Sequence, residues 1–136
     1  MAGKAESRLI YNSISTSERV ASLGVNGALL FTWLITHCDT QGRMPGKPMV
    51  LKQQVVPFID DISQEDVEAA LMLMEKKKLI ICYQDTKGRL LIQVVDWWDW
   101  QTGLRYKSAS HYEAPEGWGD RVTPREQGRF SKEDTD

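Results

Sequence analysis

The side chains best equipped for chemistry gather in the second half of the chain. Lys76, Lys77 and Lys78 stand together, Lys87 and Arg89 flank a glycine, and Arg105 and Lys107 follow. These are seven of the 17 Lys and Arg residues, all between positions 76 and 107, and Lys52 stands upstream of them. Ammonium and guanidinium groups clustered in this way neutralise phosphates and release counterions, which is the chemistry of a nucleic-acid backbone contact. Three indoles, Trp97, Trp98 and Trp100, fall among them. A buried indole is packing, whereas an exposed one stacks on an unpaired base or anchors a protein interface.

A second set of residues suits a protein partner better. Glu65 and Glu68 lie on the exposed side of the clearest helical pattern in the chain, with Met72 on the same side. Carboxylates there repel phosphates, and in a groove they can only accept from cytosine. Two function classes therefore stand side by side. One is DNA binding through Lys52, Lys76, Lys77, Lys78, Lys87, Arg89, Arg105 and Lys107. The other is protein docking or self-association as a homodimer through Glu65, Glu68, Met72, Trp98 and Trp100.

Other chemistries lack the residues they need. The acid pairs Asp60-Asp61, Asp66 with Glu68, and Asp96 with Asp99 have no histidine converging on them in sequence. There is no phosphate-binding glycine loop and no activated serine or cysteine setting, so no enzyme and no cofactor is expected. His37, Cys38, Cys82 and His111 are too scattered for zinc, so no metal site is expected. Two cysteines make no disulfide framework. The first fifteen residues hold no apolar core of signal-peptide length, and the longest apolar-rich stretch, residues 28–35, falls far short of the roughly 20 residues needed to span a bilayer. The expectation is a cytoplasmic protein with no membrane partner.

The elements that must position these residues follow from spacing. Ser17 caps a short helix that Gly24 closes. Residues 26–37 are apolar on nearly every side, which predicts a helix central to a small fold. Residues 43–48 carry two prolines and a glycine and read as a loop or short extended piece. Val50, Leu51, Gln54 and Val55 predict one or two helical turns that Pro57 stops. Ser63 with Asp66 forms a capping box, and Val67, Ala70, Leu71 and Met74 make an i, i+3, i+4, i+7 stripe. The three lysines close that helix, where positive charge complements the macrodipole. Residues 79–83 and 90–95 around Gly88 predict an antiparallel hairpin. If the second strand continues, Trp98 and Trp100 share one face and Trp97 takes the other, with Trp97 in the core.

The fold class expected is mainly α with a small β-hairpin, a winged helix-turn-helix. Residues 1–16 form an N-terminal arm, 17–107 the domain, and 108–136 an acidic tail, docked near Trp118 and disordered toward Asp136. The overall charge of −2 is unevenly spread. Six bases against four acids give +2 over residues 1–60, seven against eight give −1 over 61–107, and four against seven give −3 over the tail.

Several stretches resemble the N-terminal winged-helix module of phage replisome organisers and related primosome-type initiation proteins. Leu23 followed by Ala28-Leu29-Leu30-Phe31 resembles its second helix, and Asp39-Thr40-Gln41-Gly42-Arg43 the turn after it. Gly46, Pro48, Leu51, Lys52 and Pro57 resemble its short helix region. Asp66-Val67-Glu68-Ala69-Ala70-Leu71 with Leu79-Ile80 resembles its third helix and first strand, and Trp97 with Gln101 resembles the Trp-x-x-x-Gln element that closes the wing. The resemblance covers about residues 8–105 and implies a DNA-replication context, with DNA or a replication protein as partner.

Overall fold

The computed structural model describes residues 7–124, a mixed α/β fold of five α-helices and a three-stranded antiparallel sheet. A 3-10 helix over Asn12–Thr16 precedes α1 (Glu18–Ala21) and α2 (Gly24–His37). Then come β1 (Arg43–Pro45), α3 (Pro48–Val55), α4 (Gln64–Lys76), β2 (Ile80–Gln84), β3 (Leu90–Val94) and α5 (Trp97–Trp100). Among the described residues no helix is long and apolar enough to cross a membrane.

Local chemistry sets the helix ends. The Ser17 hydroxyl accepts from the Val20 N–H and caps α1. Gly24, expected to close α1, sits at φ +81° and opens α2 instead, so the two helices join almost without a break. Ser63 and Asp66 exchange side-chain and backbone hydrogen bonds in a capping box at the start of α4. At its other end the Lys78 N–H donates to the Glu75 carbonyl and the Leu79 N–H to the Met74 carbonyl. This is a Schellman motif, and Lys78 takes its left-handed position at φ +64° where glycine is the usual residue.

β1 is the short extended piece that residues 43–48 allowed as an alternative to a loop, and Pro45 fits there because β1 is an edge strand, where a missing N–H costs no ladder bond. The strand order is β1-β3-β2, with Arg43 opposite Gln93, Met44 opposite Ile92, Cys82 opposite Ile92, and Ile80 opposite Val94. Alternation then divides the sheet. Met44, Ile92, Ile80 and Val94 face the helices and join a core with Leu30, Leu34, Leu51, Val67 and Met74. Arg43, Gln93 and Leu91 face the other way and are also buried.

The strand does not continue past Val94. Residues 97–100 form one helical turn, so the expected alternation of the tryptophans fails. Trp97 is in the core, and its Nε1–H donates to the Thr40 carbonyl at 2.7 Å. Gly42, at φ +84°, lies directly against this indole: a Cβ there would come within 2.6 Å of the ring. The Gln101 side chain brackets Leu9, accepting from its N–H and donating to its carbonyl, both at 3.0 Å. The Trp-x-x-x-Gln element thus ties the N-terminal arm and the turn after α2 to the end of the sheet.

Residues 107–123 run over the outer face of the sheet as a strap. Gln41 donates to the Ser108 and Arg121 carbonyls and accepts from the Arg121 N–H. Arg43 reaches the Tyr112 carbonyl and forms a 2.6 Å ion pair with Asp120. Trp118 itself is exposed, and the polar contacts of Asp120 and Arg121 hold the segment beside it. The expected disorder toward Asp136 concerns residues outside those described.

Candidate nucleic-acid interface

The predicted basic residues do not form one stripe. β2 and β3 place Lys87 and Arg89 at the hairpin tip and the α4 lysines at the opposite end of the sheet. Four strand steps of about 3.3 Å separate the two ends of β2.

At the tip, Asp85 organises the turn. Its buried carboxylate accepts from the N–H groups of Lys87 (2.9 Å) and Arg89 (2.8 Å) and from Arg89 Nε (2.6 Å). Burial works to raise the Asp85 pKa, but these bonds and the guanidinium outweigh it and hold the carboxyl below its ordinary value. Arg89 is therefore engaged within the hairpin, while Lys87 projects into solvent. The strap meets this turn. Glu113 accepts from the Thr86 hydroxyl and N–H, which lowers its pKa, and its carbonyl accepts from the Tyr83 hydroxyl at 2.6 Å. Burial pushes the Tyr83 hydroxyl up to about 12.

At the other end, Lys76 and Lys78 are exposed and Lys77 is half-buried. Arg19 donates to the carbonyls of Lys77 (3.1 Å) and Lys78 (3.4 Å) and so caps α4 from outside. The Leu79 carbonyl accepts from the Val95 N–H, which brings the α4 terminus to the end of the sheet from which α5 departs. There Trp98 lies half-buried with two cations on its ring. Lys107 Nζ is 5.6 Å and the Arg121 guanidinium 5.5 Å from the indole centroid, both in cation–π range. Arg105 is exposed in the same loop. Trp98 is thus less open than its sequence position suggested. Trp100 is 43% exposed and meets the edge of Tyr11 at 5.4 Å between centroids.

Lys52 belongs to neither group. Its ammonium donates to the Val56 and Ile59 carbonyls at 3.0 and 2.8 Å and braces the connection between α3 and α4. On α4, Glu65 and Glu68 are exposed and Met72 is 67% exposed, so this face is acidic with one apolar side chain near its middle. Among the described residues no group of three or more His, Cys, Asp or Glu side chains is placed to hold a metal ion.

Sequence reasoning missed Arg121, Arg43, Asp120 and Glu113. The partners that place them on the sheet, on Trp98 and at the hairpin turn lie 23 to 80 residues away, and no local pattern marks them. The chain matches no protein-family model, curated protein or solved structure.

Proposed function

We propose that this chain is a winged-helix module that binds DNA through its phosphate backbone, in the manner its resemblance to replication-initiation proteins implies. The observation that carries the reading is topological. A helix, an edge strand, a helix pair and a hairpin follow in order, and the edge strand pairs with the last strand to give the order β1-β3-β2. That order supports the reading as a winged helix-turn-helix, in which α3 and α4 are the helix pair and the β2–β3 hairpin the wing.

The charge distribution favours backbone over base contacts. The exposed face of α4 carries Glu65 and Glu68, which do not suit a phosphate-lined groove. The free cations Lys76, Lys78, Arg105 and Lys87 project from the ends of the sheet, and Lys107 and Arg121 border Trp98. Neutralising about four phosphates gives a salt slope of about −3 to −4, characteristic of moderate binding with little sequence preference. Fluorescence anisotropy with duplex and single-stranded oligonucleotides at low salt tests the reading. Binding tighter than about 100 µM supports it, and weaker binding to both forms overturns it.

The exposure of Met72 between Glu68 and Glu75 favours a second reading, in which the acidic face of α4 docks a replication protein. Loss of a pulled-down partner on Met72→Asp, with DNA affinity unchanged, would select it.

A further inference from the structure

Gln41 is a buried amide committed to one segment of backbone. It is 2% exposed and lies in the turn after α2, where Asp39 Oδ1 accepts from its N–H at 2.9 Å. Its Nε2 donates to two strap carbonyls, Ser108 at 2.6 Å and Arg121 at 2.8 Å. Its Oε1 accepts from the Arg121 N–H at 3.0 Å. One side chain thus takes both backbone groups of Arg121 and fixes where the Arg121 side chain begins. An apolar residue would cover the sheet without the desolvation cost of an amide, so what the amide adds is direction.

The direction leads to Trp98. The Arg121 guanidinium lies 5.5 Å from the indole centroid, and Lys107 Nζ lies 5.6 Å from it. Lys107 comes from the other end of the strap. Its N–H donates to Thr123 Oγ1 at 2.8 Å, and its carbonyl accepts from the Thr123 N–H at 2.9 Å. The strap therefore closes on itself and brings two cations to one ring.

Neither charge is cancelled there. Asp120, next to Arg121, is committed to Arg43 at 2.6 Å and to the Ser110 N–H at 2.9 Å. Among the described residues no carboxylate forms an ion pair with Lys107 or Arg121. Lys107 Nζ donates only to the neutral Leu104 carbonyl. An indole attracts a cation through its quadrupole and leaves the charge in place. Long cationic side chains lose rotamer freedom when they grip a phosphate, and side chains already laid on a ring have less to lose.

We propose that Lys107 and Arg121, laid together on Trp98, contact DNA phosphates as a preorganised pair, and that Gln41 is the positioning residue that sets Arg121 there without touching DNA. This rests on the proposed DNA binding and adds that the strap belongs to the interface rather than merely covering the sheet.

Salt-dependent anisotropy with a duplex oligonucleotide tests it on the full chain, for the wild type, Arg121→Ala, Gln41→Met and the two changes together. Arg121→Ala removes one phosphate contact, so the salt slope becomes shallower by about 1 and affinity falls at least about threefold. Gln41→Met removes no charge, yet it shallows the slope in the same way. Adding it to Arg121→Ala costs nothing further, because the amide acts only through that side chain. A Gln41→Met protein with the wild-type slope overturns the inference, and so does a double variant whose loss is the product of the single losses. Either result makes Gln41 a purely structural residue, which lowers the folded fraction without moving the slope. Circular dichroism reports whether Gln41→Met folds. Should it unfold, Thr123→Val carries the same test from the other end of the strap: it frees only the Lys107 N–H, and it must shallow the slope as Lys107→Ala does. No DNA binding by the wild type overturns the proposed function and this inference together, whereas wild-type binding with an unmoved slope in the Gln41 or Thr123 variant overturns this inference alone.

Discussion

The two faces of the sheet are buried by different physics. The inner face, with Met44, Ile80, Ile92 and Val94, is covered by helices through apolar contact alone. The outer face, with Arg43 and Gln93, is covered by the strap through hydrogen bonds and one ion pair. Arg43 Nε donates to Gln93 Oε1 at 2.7 Å, and the Gln93 amide donates to the Gln41 carbonyl at 2.9 Å, so buried polar groups find partners. Apolar burial is non-directional and tolerates relaxation, whereas a buried guanidinium depends on each partner it has. The inner face therefore carries most of the stability, and the outer face specifies where the C-terminal segment lies.

The largest effect should come from the inner face. Ile92 is fully buried, and Ile92→Ala should cost about 4 kcal/mol in denaturant unfolding through lost transfer energy and a residual cavity. On the outer face, Asp120→Asn leaves Arg43 without its counter-charge. The loss should be about 3 kcal/mol, the lower end for a broken buried pair, because the Asp120 side chain keeps 23% exposure. Adding Arg43→Met to that variant should recover most of the loss, and a double variant as unstable as the single would break the contrast between the faces. Away from both faces, Lys78→Gly should gain about 1 kcal/mol by relieving the left-handed backbone at φ +64°.

The smallest effect is on pH. Asp66, Asp85 and Glu113 all have carboxyl pKa values held below the ordinary 3.8 to 4.5 in the folded chain. Their contribution is present above those ordinary values and is lost as pH falls through the lowered ones. Melting temperature should therefore drop below about pH 4. Glu113→Gln should flatten only part of that drop, and hydrogen exchange should place its effect on the strap and the hairpin turn.

Legibility in the sequence divides along the same line. The Ser63 capping box, the stripe from Val67 to Met74 and the hairpin around Gly88 are local patterns, and each appears where spacing puts it. The prolines left residues 43–48 open between a loop and a short extended piece, because proline argues against a strand except at an edge, and an edge is known only once the sheet is assembled. The turn at residues 97–100 was hidden because indoles favour strands, so three of them after β3 read as its continuation. The partners of the strap were hidden because its bonds join Gln41 and Arg43 to residues 67 to 80 positions away, and hydrogen-bond partners at such distances leave no periodicity. Of the candidate interface, the exposure of Lys76, Lys78, Lys87 and Arg105 fits a charged-surface reading, but the engagement of Lys52 and Arg89 and the pairing of Trp98 with Arg121 depend on tertiary contacts.

The central claim is that the cations at the ends of the sheet bind DNA backbone, and its most direct test is the salt dependence of DNA affinity for the wild type and for Arg105→Glu with Lys107→Glu. The proposed function predicts a slope of about −3 to −4 for the wild type and a slope shallower by about 2, with at least tenfold weaker binding, for the double variant. Equal affinity and equal slope for the two proteins, or no binding by the wild type at low salt, would contradict it.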